Sequence, residues 1–387
     1  MNDQDGTRKA EFMEPNTQVT PAPEQAPEPV RETAAQPAPE RSLSGEFAVL
    51  LNENAKKVTG RVKKSFAEIV PRMQLYSAKT LEEAQNHIRD IIDRGYGKIV
   101  CGGGDGTVVQ ILNQVRAYID EKNASLQGLS GQMKEKFREV QWPKIGILKL
   151  GTGNAWASVV GSRKPKSMLA DMKNAALKLS RFNLIESENR VFHFAGLGYD
   201  ARVLNDYNTL RLRYGKGLFK SYWNGLAGYL SAIFFKSLPF ELRRKRPPLV
   251  RVISNCDEVY SAAHSSGIQR LSLKAGETMY EGPVNVLGAA TTPNYGFNLI
   301  AFPFARVKPD FMNFRLISSN ALELIGHMRS MWQGTYESCG IKDFLARDVT
   351  LEFSEPMPFQ IGGDGQGFRE KLRMRVSDLA VEVIDLT

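Results

Sequence analysis

Apolar positions along the chain fall into two textures. From Phe47 to about residue 185, short fully apolar runs alternate with stretches whose apolar residues recur at three- and four-residue spacing. Phe47-Ala48-Val49-Leu50-Leu51 predicts a buried strand ending at Asn52, and Thr59 to Val70 predicts a helix stopped by Pro71. Thr80 opens a second helix. Glu83 stands three residues on, as a capping box requires, and Gly95 closes it; Leu81, Ala84, Ile88, Ile91 and Ile92 form its apolar face. A strand over 98–101, a helix over 107–120, a polar insertion or lid near 121–141 and a strand over 144–150 follow. This β-α-β-α-β order predicts a largely parallel sheet with helices on its faces.

Beyond residue 185 the texture changes. Val191–Ala195, Leu249–Ile253, Val284–Ala289, Phe297–Phe302, Thr350–Phe353 and Arg373–Val376 are short, apolar or β-branched, and separated by Gly, Pro and Asn. That pattern predicts a mainly antiparallel β domain. One helical stretch interrupts it at 216–238, where Leu218, Phe219, Tyr222, Trp223, Leu226, Leu230, Ile233 and Phe234 make a stripe that reads as a core face. His193 reads as a core or edge residue with a backbone partner, and Cys101 as inert packing in a buried strand.

Composition adds a tail and a charge. Residues 1–44 hold seven of the 19 prolines and almost no large apolar residues, a composition that cannot offset chain entropy and predicts disorder. The whole chain carries +9; eight acids against four bases in the tail leave +13 on the remainder, which calls for an anionic partner. Three cysteines far apart in sequence (Cys101, Cys256, Cys339) make no disulfide framework and no zinc spacing, so a cytoplasmic location is expected. No Gly-x-Ser-x-Gly elbow and no HExxH motif supports hydrolase chemistry. No nucleic-acid recognition motif accompanies the positive charge.

Two strand–turn–helix junctions concentrate the candidate chemistry. Lys98-Ile99-Val100-Cys101 runs into Gly102-Gly103-Gly104-Asp105-Gly106-Thr107, and Lys149-Leu150 runs into Gly151-Thr152-Gly153-Asn154-Ala155. Glycines let a chain turn tightly and approach a ligand closely, and the unpaired amides of the helix that follows attract phosphate. Neither turn is a Walker A loop or a GxGxxG fingerprint. Aspartate repels a phosphate, so Asp105 reads as a proton acceptor or as a group acting through Mg²⁺. The fold class expected is α/β: a tail over 1–44, a parallel-sheet nucleotide-binding domain over 45–185, and a mainly antiparallel β domain over 186–387 whose last strand can return to the first.

Gly103-Gly104-Asp105-Gly106-Thr107 followed by Gly151-Thr152-Gly153-Asn154-Ala155 resembles the diacylglycerol kinase catalytic domain, a superfamily that includes sphingosine, ceramide and bacterial soluble lipid kinases. Leu50-Leu51-Asn52-Glu53-Asn54-Ala55, Phe194-Ala195-Gly196-Leu197-Gly198-Tyr199-Asp200-Ala201 and Pro293-Asn294-Tyr295-Gly296 to Pro303-Phe304-Ala305 agree in order, so the resemblance spans roughly 46–385. It implies ATP with Mg²⁺, with the phosphates held by Gly103, Gly104, Gly106 and Thr107 together with Asn52, Gly151, Thr152, Gly153 and Asn154. Asp105 would contact the Mg-bound phosphates or help activate the acceptor hydroxyl. Asp200, Arg202, Arg211 and Arg213 would face substrate or triphosphate.

The implied activity is transfer of the γ-phosphate to the hydroxyl of a diacylglycerol-like or sphingoid lipid, met by peripheral contact at a membrane surface. Arg243-Arg244-Lys245-Arg246 stays open as a contact for anionic lipid, and a homodimer stays open as an assembly. One departure stands out. Where the family carries Asp-Gly-Glu, this chain has Gly363-Asp364-Gly365-Gln366. Glutamine takes no proton at neutral pH, so the base would be Asp364 or Asp105. Two other readings remain: a kinase of a soluble acceptor such as NAD, and a catalytically weak nucleotide or lipid sensor motivated by Gln366.

Overall fold

Strands that are apolar on both faces need cover on both faces, and the first half of the chain supplies it. The computed structural model describes residues 43, 45–127, 139–172, 177–215, 220–223, 226–237, 239 and 246–387. Strands β1 (Phe47–Asn52), β2 (Leu75–Ala78), β3 (Lys98–Gly103) and β4 (Lys144–Lys149) pair in parallel in the order β4-β3-β1-β2. Helices α1 (Gly60–Ala67), α2 (Leu81–Asp93) and α3 (Asp105–Gln127) link them. Ile99 and Cys101 of β3 pack with Ile88, Ile91, Ile111 and Leu112 on one face, while Val100 packs with Phe66, Met168 and Leu169 on the other. The Thr80 cap is as expected: its hydroxyl accepts from the Glu83 N–H, and the Glu83 carboxylate accepts from the Thr80 N–H.

After the short helices α4 (Ala155–Val159) and α5 (Pro165–Asp171) the strands turn antiparallel. They are β5 (Leu179–Ser187), β6 (Arg190–Phe192), β7 (Phe194–Gly198), β8 (Leu249–Ser254), β9 (Tyr260–Ala263), β10 (Gly267–Arg270), β11 (Thr278–Pro283), β12 (Val286–Ala290), β13 (Asn294–Gly296), β14 (Leu299–Ile300), β15 (Met312–Ile317), β16 (Ile341–Ala346), β17 (Asp348–Ile361) and β18 (Asp364–Ile384). Apart from the β13–β14 ribbon, all strands join one 16-stranded sheet, with the path β10-β9-β16-β15-β12-β7-β17-β18-β4-β3-β1-β2. The connection between the two halves is β18. Its start pairs with β17, its middle and end pair with β5, and Val383 pairs in parallel with Ile145 of β4. Residues 39–387 accordingly form one unit.

Three local expectations are corrected. Helix α3 begins at Asp105, two residues early, and runs on to Gln127, because Asp105 already has helical neighbours and the polar residues after 120 are good helix formers. Only residues 128–138 of the expected insertion lie outside the described residues. Of the stretch 216–238, the described residues form α7 (Lys220–Trp223), α8 (Leu226–Ala232) and, where a regular helix is expected to continue, a π-helical turn at Ile233–Ser237; residues 216–219, 224, 225 and 238 lie outside the described residues. Its stripe is not simply core, since Leu230 and Ile233 line a cavity and Tyr222 and Phe234 are exposed. Residues 1–42 and 44 of the tail, and Arg243, Arg244 and Lys245 of the basic cluster, lie outside the described residues.

Candidate functional site

The two glycine turns touch. A Cβ on Gly151 would run into the Gly104 backbone, so the turns fit together only with glycine at that contact. Asn154 adopts a left-handed conformation (φ 52°) and closes its own turn: its Oδ1 accepts from the Gly151 N–H at 2.9 Å, and its Nδ2 donates to the Gly151 carbonyl at 2.9 Å. Across the first turn, Asn52 Nδ2 donates to Thr107 Oγ1 at 2.9 Å. Thus Asn52, Gly103, Gly104, Gly106, Thr107, Gly151, Thr152, Gly153 and Asn154 come together at the carboxyl ends of β1, β3 and β4, where ligands of parallel sheets bind. Asn52 and Asn154 spend their amides on the turns themselves.

Asp105 lies where the two glycine turns meet. Its Oδ2 accepts from the Ala155 N–H at 3.0 Å and its Oδ1 from the Trp156 N–H at 3.1 Å, so the carboxylate caps the start of α4 and ties one glycine turn to the other. It is buried; burial pushes its carboxyl up while the two N–H donors oppose the shift. His193 lies 3.9 Å from Asp105 and is fully buried beside Trp156 and Phe194, with no partner at either ring nitrogen. The backbone partner expected for His193 is therefore not present. Burial drives its imidazole down to about 3, so the ring is neutral.

Asp364 is the acid that faces the first turn. It begins β18 directly over Gly106, and a Cβ on Gly106 would collide with its carboxylate. Burial raises its carboxyl; the charges of Arg190 and Arg211 lower it. Gln366 points elsewhere: its Oε1 accepts from Arg190 Nη1 at 2.6 Å and its Nε2 donates to the Asp364 carbonyl at 3.0 Å.

Helix α6 (Tyr199–Tyr214) carries the remaining candidates. Asp200 accepts from the Tyr295 hydroxyl at 2.5 Å and from Gln360 Nε2 at 3.2 Å; Gln360 Nε2 also donates to Tyr295 at 2.7 Å. Gln360 Oε1 accepts from the Gly363 N–H at 2.8 Å, which links Asp200 to the Asp364 turn. Burial pushes the Asp200 carboxyl up to about 6 against the pull of its two donors. Arg211 is near enough to act on Asp364, whereas Arg213 is exposed and lies over the Tyr214 ring. Arg202 sits half-buried in the first turn of α6.

Two hollows flank this centre. One, about 160 Å³, opens beside Asn52 and Thr107 and is lined by polar groups including Lys79, Thr80, Gln110 and Gln114. The other, about 220 Å³, is overwhelmingly apolar and is walled by Tyr229, Leu230, Phe302, Leu324, Met331 and Trp332, with Asp200 and Tyr295 also on its lining. Sequence reasoning missed Gln360, Arg190 and Gln110. A polar residue inside the apolar run Met357–Ile361 was the signal for Gln360, and the i, i+3, i+7 spacing of Thr107, Gln110 and Gln114 was the signal for the polar face of α3.

To two glycine turns, a carboxylate facing one of them and an apolar chamber alongside, comparison with known proteins adds a likeness. Residues 46–182 match the family model of the diacylglycerol kinase catalytic domain. That match covers the parallel half of the sheet and both glycine turns. The fold likeness extends further. A crystal structure of a diacylglycerol kinase from Bacillus anthracis str. Sterne aligns with a TM-score of 0.53 at 13% identity, covering 88% of this chain and 96% of that one. Another structure from the same organism aligns equally well at 14% identity, covering 88% of this chain and 97% of that one. No curated protein matches by sequence. These structures share the two-part fold, with parallel strands first and antiparallel strands after.

Proposed function

We propose that this protein transfers the γ-phosphate of ATP to the hydroxyl of a diacylglycerol-like or sphingoid lipid. One observation carries the reading. The apolar cavity is joined to the glycine turns by a continuous polar path: Asp200 with Tyr295 and Gln360 at the cavity, then Gly363, then Asp364 over Gly106. A chamber for hydrocarbon beside a phosphate turn suits an amphiphilic acceptor, and a soluble acceptor such as NAD would leave so apolar a chamber without a matching group.

The residues present suit a nucleotide. The glycine turns stand at the carboxyl ends of parallel strands, where phosphate binds, and the polar hollow beside Asn52, Lys79, Thr80 and Gln114 is of a kind that accepts a base or ribose. Among the described residues no group of three or more His, Cys, Asp or Glu side chains could hold a metal. Mg²⁺ would therefore arrive on the triphosphate, which supplies most of its oxygen ligands, with Asp364 as the protein carboxylate nearest the turn. Bound there, the ion would neutralise phosphate charge.

In this reading Asp364 takes the proton of the acceptor hydroxyl as that oxygen bonds to the γ-phosphorus, and the bond to the β-bridging oxygen breaks to release ADP. Desolvation of its carboxyl suits Asp364 to the task by raising its basicity. The charges of Arg190 and Arg211 oppose that rise and would offer positive charge near the transferred group. No helix among the described residues is long and apolar enough to cross a membrane. Lipid would instead be met peripherally, a role supported by exposed Leu212 and Tyr214 beside Arg211 and Arg213 at the end of α6, and by exposed Tyr222 and Phe235.

The test is transfer of labelled γ-phosphate from ATP with Mg²⁺ to diacylglycerol, monoacylglycerol, sphingosine, ceramide and a total lipid extract in mixed micelles. A labelled lipid that is absent with Asp364→Asn establishes the reaction and its acceptor class. ATP binding without any labelled lipid rejects it for these acceptors.

A further inference from the structure

One ladder row crosses the sheet beneath the cavity. Gly365 of β18 pairs with Gln360 of β17, Gln360 with Gly196 of β7, Gly196 with Gly288 of β12, Gly288 with Arg315 of β15, and Arg315 with Asp343 of β16. The two central glycines make the floor low. A Cβ on Gly196 would strike Asp200, and one on Gly288 would strike the Phe302 ring, which lines the cavity. At one end of the row stands the Gln360–Asp200 group; at the other stands Arg315. Two strand spacings, roughly 10 Å, separate Gly196 from Arg315. Apart from Asp200, Arg315 is the only charged residue on the cavity lining among the described residues.

Arg315 is 5% exposed, and its ion pair is unusual in what it leaves over. Nε donates to Asp343 at 2.9 and 3.0 Å and Nη2 donates at 2.8 Å, while Asn313 Nδ2 adds a further bond to the same carboxylate at 2.9 Å. Asp343 is saturated. The third guanidinium nitrogen, Nη1, has no partner among the described residues. The Nη1 atom keeps access to open space, so its two N–H groups are available to donate to a ligand at the apolar wall. As a purely structural device the pair is also a poor choice, since apolar residues of like volume serve such positions as well or better.

We propose that Arg315 is a binding residue for an acyl carbonyl, and hence that the cavity takes ester-linked acyl lipids in preference to sphingoid or ether-linked ones. This rests on the lipid-acceptor reading of the same cavity and narrows it. The charge balance selects the ligand group. Asp343 already neutralises the guanidinium, so the spare donors match a neutral carbonyl oxygen better than a carboxylate.

The test is equilibrium binding of dioctanoylglycerol, its dioctyl ether analogue and octanoate, followed by tryptophan fluorescence, because Trp332 lines the cavity. The wild-type protein should bind the diester about tenfold more tightly than the diether, the weight of one good hydrogen bond. Arg315→Lys keeps a positive charge against Asp343 but loses the spare guanidinium donors. It should bring the two affinities within about twofold and leave the diether affinity unchanged. The double variant Arg315→Met/Asp343→Leu removes the pair without stranding a charge, and should show the same loss of preference should Arg315→Lys not fold. Equal wild-type affinities, a preference that survives in the variants, or tighter binding of octanoate than of the diester overturns the proposal. Phosphate transfer is not read in this experiment. A kinase reading that fails therefore shows itself separately, as absent label transfer beside an intact binding preference.

Discussion

The Asp364 carboxylate lies so close over Gly106 that a single added methyl group at residue 106 would displace it. The first glycine turn and the carboxylate that faces it are thus built as one unit from parts of the chain far apart in sequence. Asp364→Asn preserves shape and removes the proton acceptor, and should lower kcat by about 10²–10⁴-fold. Gly106→Ala should lower kcat comparably with α3 intact, since alanine favours helix where glycine does not. Label transfer, read beside a circular-dichroism melt, checks both. Near-normal kcat in either variant moves the acceptor role away from Asp364.

Asp105 should behave differently. Both its oxygens are committed to the α4 amides, so Asp105→Ala removes two charge-assisted bonds at the junction of the glycine turns. Relief of the buried charge offsets part of the loss, and the net expectation is about 2 kcal/mol of lost stability. A lower denaturant midpoint with an unchanged m value is the signature. Asp364→Asn should leave that midpoint within about 0.5 kcal/mol of wild type, as expected for a change that breaks no described hydrogen bond. If the two variants lose stability equally, the division of labour between the two acids is wrong.

What was legible in the sequence was local or periodic. The Thr80–Glu83 cap, the strands β1, β3 and β4 and both glycine turns depend on neighbours a few residues away, and they stand where the pattern puts them. The bonds of Asp105 to Ala155 and Trp156 were not legible because those partners are 50 and 51 residues distant, and a carboxylate in a glycine turn looks the same whether or not it also caps the next helix. The 216–238 stripe was apolar at helical spacing, but spacing does not distinguish a wall packed against a sheet from one left facing a chamber. Arg315 gave no signal at all. Its meaning comes from the register that sets it between Gly288 and Asp343.

The glutamine at position 366 carries its own prediction. Its side chain is held by Arg190 on one side and the Asp364 carbonyl on the other, turned from the Gly106 face. In Gln366→Glu the new carboxylate would pair with Arg190 and lose the bond to the Asp364 carbonyl. The rate of transfer should therefore stay within about threefold of wild type, a change of less than 1 kcal/mol in the barrier. A rise of tenfold or more would show that a carboxylate at 366 reaches the acceptor, and would favour a weakened catalyst as the natural state.

Asp200 makes the pH dependence of the cavity testable. Its carboxyl is raised from 3.8 to about 6 by burial, against the hydrogen bonds from Tyr295 and Gln360. The folded protein therefore holds this proton more tightly than the unfolded chain does. The stability it contributes is fully present below pH 3.8 and is lost as pH rises through 6. The span is at most about 3 kcal/mol, and water in the cavity reduces it. Asp200→Asn removes the titration while preserving an acceptor for Tyr295. Subtracting the variant's unfolding free energy from that of the wild type, measured in urea from pH 4 to 8, should give a difference that falls between pH 4 and 6 and is flat above 7. A flat difference throughout would mean that Asp200 ionises as an ordinary carboxylate. The cavity end would then be wet enough to solvate a charge, and its hydrogen bonds to Tyr295 and Gln360 would count for less in positioning an acceptor.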